Sequence, residues 1–306
     1  MDRLKIGLAL GSGSARGWAH IGVIKALEEQ GIQPDMVAGC SIGALVGAAY
    51  SGGHLESLEQ WVRALSFWDV VKLLDVRMAG GLIEGGSLMS SFESQLRDAD
   101  IESLALPFAA VATDLASGRE IWLQKGSLPA AVRASIALPG LFSPVELEGR
   151  WLVDGGLTNP VPVSLCRAMG ADLIIAVNLN SDIVGRHLKT RTSGKATVDR
   201  EERDLFRQLM KRINSGILES RISRWTREKR GREGVPGLFE VMASSINIMQ
   251  DRITKSRMAG DPPDVLLSPR LAQLGLLEFD RAEEAIAEGY ESVHRMESAL
   301  GHLLPR

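Results

Sequence analysis

The chain has 306 residues, 45% of them hydrophobic and 24% charged, which excludes disordered, collagen-like and disulfide-scaffold proteins. A net charge of −3 gives no general basicity for nucleic acid, and no nucleic-acid partner is expected. Glycine is in excess at 32 residues, which predicts tight turns or close backbone approaches.

Arg3 and Lys5 precede an apolar run of only Ile6–Leu10. A secretory leader has an apolar region of ~7–15 residues, so this run reads as a buried first strand. A Gly/Ser loop, Gly11–Gly17, follows it. Helical apolar spacing then runs over Trp18–Gln30 (Ile21, Ile24, Leu27), and Gly31 stops it. Cys40 and Cys166 form no Cys-x-x-Cys pair and read as two reduced thiols. The uncharged stretch Met36–Leu55 has the length of a membrane span. Its glycines and serines make it a strand (Met36–Ala38), a turn and a buried helix (Ile42–Tyr50) instead. With no integral span, the chain is expected to be cytoplasmic, or peripheral at the inner face of the membrane. This βαβα start predicts a parallel sheet with crossover helices.

Residues 55–105 read as helical and variable. Strands are expected at Phe108–Thr113 and Glu120–Gln124, a helix at Leu128–Ser135, and a hairpin of Val145–Leu147 with Trp151–Val153. Asp172–Asn178 is a strongly apolar strand. Residues 200–233 hold eleven Lys/Arg against six Asp/Glu. They form either a solvated helix or loop, or a contact with anionic lipid headgroups. Leu238–Met258 reads as an amphipathic helix with Val241, Ile246, Ile248 and Met249 apolar. A strand at Asp264–Leu267 and a helix at Asp280–Leu300 end the chain. Three units result: a core at 1–180, a basic linker at 181–235, and a helix–strand–helix at 236–306 that completes the same domain.

Gly39–Gly43 (GCSIG) fits G-x-S-x-G, a sharp strand-to-helix turn that exposes Ser41 at a helix N-terminus. There the helix dipole favours the anion of a tetrahedral intermediate. Without chemistry, the same pattern is a glycine-lined turn. The upstream loop, with Gly11, Gly13 and Gly17, supports two readings. One is a dinucleotide fingerprint, but the second strand then lacks the acidic residue at its tip that binds ribose. The other is an oxyanion hole of backbone N–H groups beside Ser41, with Arg16 adding charge or orienting the loop. Arg16 is otherwise a surface salt bridge. Serine needs a base. His20 lies near the loop, but none of His20, His54, His187, His294 and His302 sits at a strand end. Asp154 does, followed by Gly155 and Gly156; Asp-Gly is also an ordinary turn signal. An aspartate this close to an apolar strand becomes a useful base once partly desolvated.

Leu8–Gly22 (LALGSGSARGWAHIG), Gly39–Gly43, Ala134–Phe142 (ASIALPGLF) and Val153–Gly156 (VDGG) occur in this order. In these stretches the chain resembles the patatin-like phospholipase family, the compact bacterial type similar to the patatin-like domain of neuropathy target esterase. The resemblance spans about residues 4–180. It implies a three-layer α/β/α fold with a mainly parallel central sheet and C-terminal helices. It also implies a Ser–Asp dyad without histidine: Ser41 as nucleophile, Asp154 as base, and an oxyanion hole at Gly13 and Ser14 beside Arg16. The supporting glycines are Gly11, Gly17, Gly39, Gly43, Gly155 and Gly156. The implied substrates are phospholipids, lysophospholipids or simpler acyl esters, with no metal and no cofactor. The family loop usually reads Gly-Gly-Gly; here Ser12 and Ser14 replace the outer two, and serine disfavours positive φ. That departure motivates an alternative, a catalytically silent lipid- or protein-binding regulator on the same fold.

Overall fold

The computed structural model describes residues 3–66, 69–70, 99–183 and 238–301. The expectations for most of 55–105 and for the basic segment 200–233 fall largely or wholly outside these residues. In chain order the N-terminal part holds β1 (Ile6–Leu10), a 3-10 turn (Ser14–Trp18), α1 (Ala19–Glu29), β2 (Met36–Cys40), α2 (Ile42–Ser51) and α3 (Leu55–Ala64). The middle holds β3 (Phe108–Asp114), β4 (Glu120–Leu123), α4 (Leu128–Ser135), β5 (Val145–Leu147), β6 (Arg150–Asp154), α5 (Val163–Ala168) and β7 (Leu173–Val177). After the gap come α6 (Leu238–Gly260), β8 (Val265–Leu267), α7 (Ala282–His294) and α8 (Glu297–Leu300). Helix α5 has no counterpart in the sequence reading; six residues are too few to show a helical period.

The strands form one sheet in the order β5-β6-β3-β2-β1-β7-β8, with β4 also on β3. The central β3-β2-β1-β7-β8 run is parallel, and β4, β5 and β6 pair antiparallel. Alternate residues of each strand feed opposite faces, as the two-residue period of a strand requires. Leu8, Leu10, Val37, Phe108, Ala110 and Val177 face a core shared with α1, α2, α4 and α7. Ala9, Met36, Ala38, Ala109, Val111 and Ala176 face a smaller core shared with α5. Helices therefore cover both faces, which is the three-layer α/β arrangement expected. Helices α1 and α7 cross backbone to backbone at two glycines. A Cβ on Gly22 would stand 1.9 Å from the Ile286 carbonyl oxygen, and one on Gly289 would stand 1.9 Å from that of Ala19.

The register around β3 positions the site. On one edge of β3, parallel β2 ends with Cys40 opposite Val111. On the same edge, antiparallel β6 ends with Asp154 opposite Ala112. Strand β4 takes the other edge, pairing Ala110 to Thr113. The C-terminal ends of β2 and β6 thus meet head to head along one strand. Ser41 follows the first, and Asp154 terminates the second.

Candidate active site

Ser41 joins β2 to α2 at φ 56° and ψ −124°, a conformation a non-glycine residue adopts only under constraint. The constraint is close packing. A Cβ on Gly39 would lie 2.4 Å from Ala44 Cα, and one on Gly43 would lie 2.2 Å from the Leu10 carbonyl oxygen. Only glycine at both positions lets the turn fold back onto β1. Gly11, Gly17 and Gly155 are equally crowded, and Gly17 packs on the Ile42 side chain. The Ser41 N–H donates to Ser135 Oγ at 2.8 Å, and Ser135 Oγ donates to the Val111 carbonyl at 2.6 Å.

The Ser41 hydroxyl donates to Asp154 Oδ2 at 2.5 Å. The other carboxylate oxygen, Oδ1, accepts from the Gly156 N–H at 2.7 Å, which fixes the rotamer. Asp154 N–H donates to Ala137 O, and Thr113 Oγ1 donates to Asp154 O. The carboxylate is fully buried. Burial raises its pKa from 3.8 to about 6, and the hydrogen bonds from Ser41 and Gly156 offset part of that rise.

In the Gly-rich loop, Ser12 N–H donates to Pro160 O and Ala15 N–H to Leu276 O. Among the described residues no acceptor engages the N–H groups of Gly13 and Ser14, and both residues line the pocket that contains Ser41. Ser14 has φ 53°, a left-handed conformation that glycine reaches without strain and serine does not. Its hydroxyl donates to Leu276 O at 2.6 Å, which ties the strained residue down. Ser12 avoids positive φ, and its hydroxyl donates to Gln250 Oε1 at 3.2 Å.

Of the two roles the sequence offers Arg16, adding charge beside an oxyanion or orienting the loop, its position matches the second. Its guanidinium is buried behind the loop, with Nε on Gly13 O at 3.1 Å and Nη2 on Asn247 Oδ1 at 3.1 Å. Burial lowers its pKa to about 10, with Asp182 opposing, so it stays charged at neutral pH. His20 is also behind the loop, with Nε2 on Gly11 O at 2.8 Å. A carbonyl only accepts, so Nε2 carries the proton. Burial holds the pKa down near 4, so the ring is neutral. His54 precedes α3 and His294 ends α7, neither lining the pocket.

Sequence reasoning missed three groups here: Ser135, Asn247 and Gln250. Gln250 Oε1 accepts from both Ser12 Oγ and Asn180 Nδ2, and its amide nitrogen packs against Gly156. The only prior sign of Ser135 was its place in the small-residue run 134–142. Apolar walls surround the Ser41 hydroxyl, including Leu45, Leu138, Leu141, Phe142, Ile246 and Phe279. Among the described residues no cluster of His, Cys, Asp or Glu is arranged to hold a metal ion, and no helix is long and apolar enough to cross a membrane.

Comparison with known proteins bears on the family and the fold. The family model for patatin-like phospholipase matches residues 8–167. An uncharacterized NTE family protein of Mycobacterium tuberculosis is 35% identical over 93% of this chain and 89% of its own length. Human patatin-like phospholipase domain-containing protein 6 is 36% identical over 58% of this chain, which is 13% of that protein. Neuropathy target esterase sws of Drosophila melanogaster is 35% identical over 58% of this chain and 13% of its own. In fold, the chain is similar to VipD from Legionella pneumophila, with a TM-score of 0.51 at 13% identity over 97% of this chain and 67% of that one. The family model over half of the chain, and a relative 35% identical over 93% of it, therefore assign the chain to the patatin-like phospholipase family, and with it to the lipid acyl hydrolases.

Proposed function

We propose that the chain hydrolyses carboxylic ester bonds of phospholipids, lysophospholipids or simpler acyl esters through a dyad of Ser41 and Asp154. The observation that carries this reading is the 2.5 Å contact between Ser41 Oγ and Asp154 Oδ2 in an apolar pocket. Asp154 takes the proton as Ser41 Oγ attacks the acyl carbonyl carbon. The negative oxygen of the tetrahedral intermediate is received by the N–H groups of Gly13 and Ser14, and the positive end of α2 adds to this. The intermediate collapses, the ester C–O bond breaks, and Asp154 returns the proton to the leaving alcohol. Water then attacks the acyl-Ser41 ester with Asp154 again as base, which releases the fatty acid and frees the hydroxyl. A pKa near 6 suits this work: Asp154 is ionised at neutral pH yet more basic than a solvated aspartate. Arg16 and His20 hold the loop from behind and take no part in proton transfer.

The test is labelling with a fluorophosphonate probe, read by intact mass and peptide mapping. Labelling is expected at Ser41, absent in Ser41→Ala and strongly slowed in Asp154→Asn. A folded wild type that does not react, with or without detergent, would overturn the enzyme reading in favour of a silent binding protein.

A further inference from the structure

Helix α6 has its amphipathic character reversed. An ordinary surface helix turns its apolar stripe inward and its polar face to water. Here the inward residues are Asn247, Gln250, Asp251 and Thr254, all at most 7% exposed. The outward residues Val241, Met242, Ile248 and Met249 are 42–48% exposed. Their spacing of one, seven and eight residues puts all four on one stripe. Polar groups face inward because they hold the Gly-rich loop through Arg16 and Ser12. No such internal reason accounts for the apolar stripe. Single exposed aliphatic residues are ordinary, but a run of four on one helix marks an interaction surface.

Two observations identify its occupant. The stripe is continuous with the pocket: Met242 Cε packs over Gly140, between pocket residues Leu138 and Leu141, and Ile246 on the same helix lines the pocket itself. Further along α6 the exposed side carries Arg252 and Lys255, the latter also bonded to the buried Asp251 carboxylate at 2.8 Å, cations at one end of an aliphatic patch. Aliphatic groups flanked by cations match the boundary between acyl chains and anionic headgroups. We propose that this stripe of α6 is the face by which the enzyme sits on an anionic lipid surface. An acyl chain then passes from the lipid phase into the pocket along apolar side chains, without crossing water. The proposal rests on the lipid hydrolase reading above.

The experiment separates the two. Vesicle binding is measured on a Ser41→Ala background, so no lipid is consumed, with phosphatidylcholine vesicles made with and without phosphatidylglycerol. Turnover of a water-soluble short-chain ester is measured separately with Ser41 intact. Binding is expected on the phosphatidylglycerol vesicles, and Ile248→Asp with Met249→Asp is expected to weaken it roughly tenfold or more. The same pair should leave soluble-ester turnover within about twofold and lower hydrolysis of vesicle lipid. Absence of vesicle binding by the parent, or equal binding by the variant, overturns the proposal. So does a dimer that the variant dissolves, which gives the stripe to a second copy. A large fall in melting temperature caused by the double substitution, with a parent that ignores vesicles, also overturns it, because the stripe is then covered by this chain's own residues. Failure of the hydrolase reading shows separately, as a parent inert toward the soluble ester.

Discussion

Ser135 and Ser41 lie 94 residues apart in the chain, yet the Ser135 hydroxyl accepts the Ser41 N–H at 2.8 Å. The same hydroxyl donates to the carbonyl of Val111, the last residue of β3 that faces β2. One buried side chain thus satisfies two backbone groups where β2 leaves the sheet. Ser135→Ala strands both, and a buried unpaired group costs about 1–3 kcal/mol. The expected result is a melting temperature lower by several degrees and a kcat lower by roughly tenfold. Urea unfolding and ester kinetics check it; a variant equal to the parent in both would show that the bridge does not position Ser41.

Asp154 gives the reaction an acid limb. It must be ionised to accept the Ser41 proton, so kcat/KM is expected to fall as pH drops through about 6, well above an ordinary aspartate. Stability moves the other way. Between about 4 and 6 the folded chain keeps a proton that the unfolded chain has released, so stability declines as pH rises through that window, by about 3 kcal/mol. Asp154→Asn is therefore expected to be inactive but more stable than the parent at pH 7, with the gain shrinking toward pH 4. A parent whose melting temperature matches that variant at all pH values would contradict the desolvated carboxylate.

His20 acts in the opposite sense over an overlapping range. Its folded pKa near 4 lies below the 6.5 of a free imidazole, so the unfolded chain binds the proton first. Its contribution is complete above pH 6.5 and is lost as pH falls toward 4. Replacing it by glutamine, which can still donate to the Gly11 carbonyl, should remove this acid loss. His20→Gln is therefore expected to lose less stability than the parent, or to gain some, on acidification from pH 6 to 4. Thermal melts across that range decide it.

Gln250 holds the Gly-rich loop from α6. Gln250→Leu leaves Ser12 Oγ and Asn180 Nδ2 without the acceptor they share. The N–H groups of Gly13 and Ser14 should then lose their fixed aim. We expect kcat to fall roughly 10- to 100-fold with KM little changed, the pattern of a lost transition-state contact. A rise in KM alone would make Gln250 a pocket wall and nothing more.

The crossing of α1 and α7 tolerates no side chain at Gly22 or Gly289. A methyl group at either would press on backbone carbonyls of the opposite helix, which cannot swing aside. Gly22→Ala and Gly289→Ala should each destabilise by about 2–4 kcal/mol, measured by denaturant midpoint. Activity per folded molecule should persist, because neither glycine touches the pocket.

Local chemistry was legible in the sequence. A five-residue apolar run, glycines two positions either side of Ser41, and an aspartate at the end of β6 each declare themselves within a few residues. Contacts across long spans were not. Ser12 meets Gln250 across 238 positions, and Arg16 meets Asn247 across 231. Periodicity also located the helix at 238–258 but not its orientation. Val241, Ile246, Ile248 and Met249 read as the apolar residues of an amphipathic helix, and the structure turns all but Ile246, which lines the pocket, outward. A helical period reports that two faces differ, and hydrophobicity chooses the inner one only when nothing polar needs support from behind. Ser14 illustrates a third limit: its unfavourable φ was legible, while the Leu276 carbonyl that holds it was 262 residues away.

Consecutive residues of one strand, Val111 and Ala112, face the ends of the two strands that carry Ser41 and Asp154. Strand β3 therefore acts as a ruler, and the span between nucleophile and base is graduated in single backbone steps. Pocket-wall side chains such as Leu141 and Phe142 can vary without changing that measure. The active centre is calibrated by hydrogen-bond register, so substrate range can diversify in the surrounding helices while the reacting pair stays at a constant gauge.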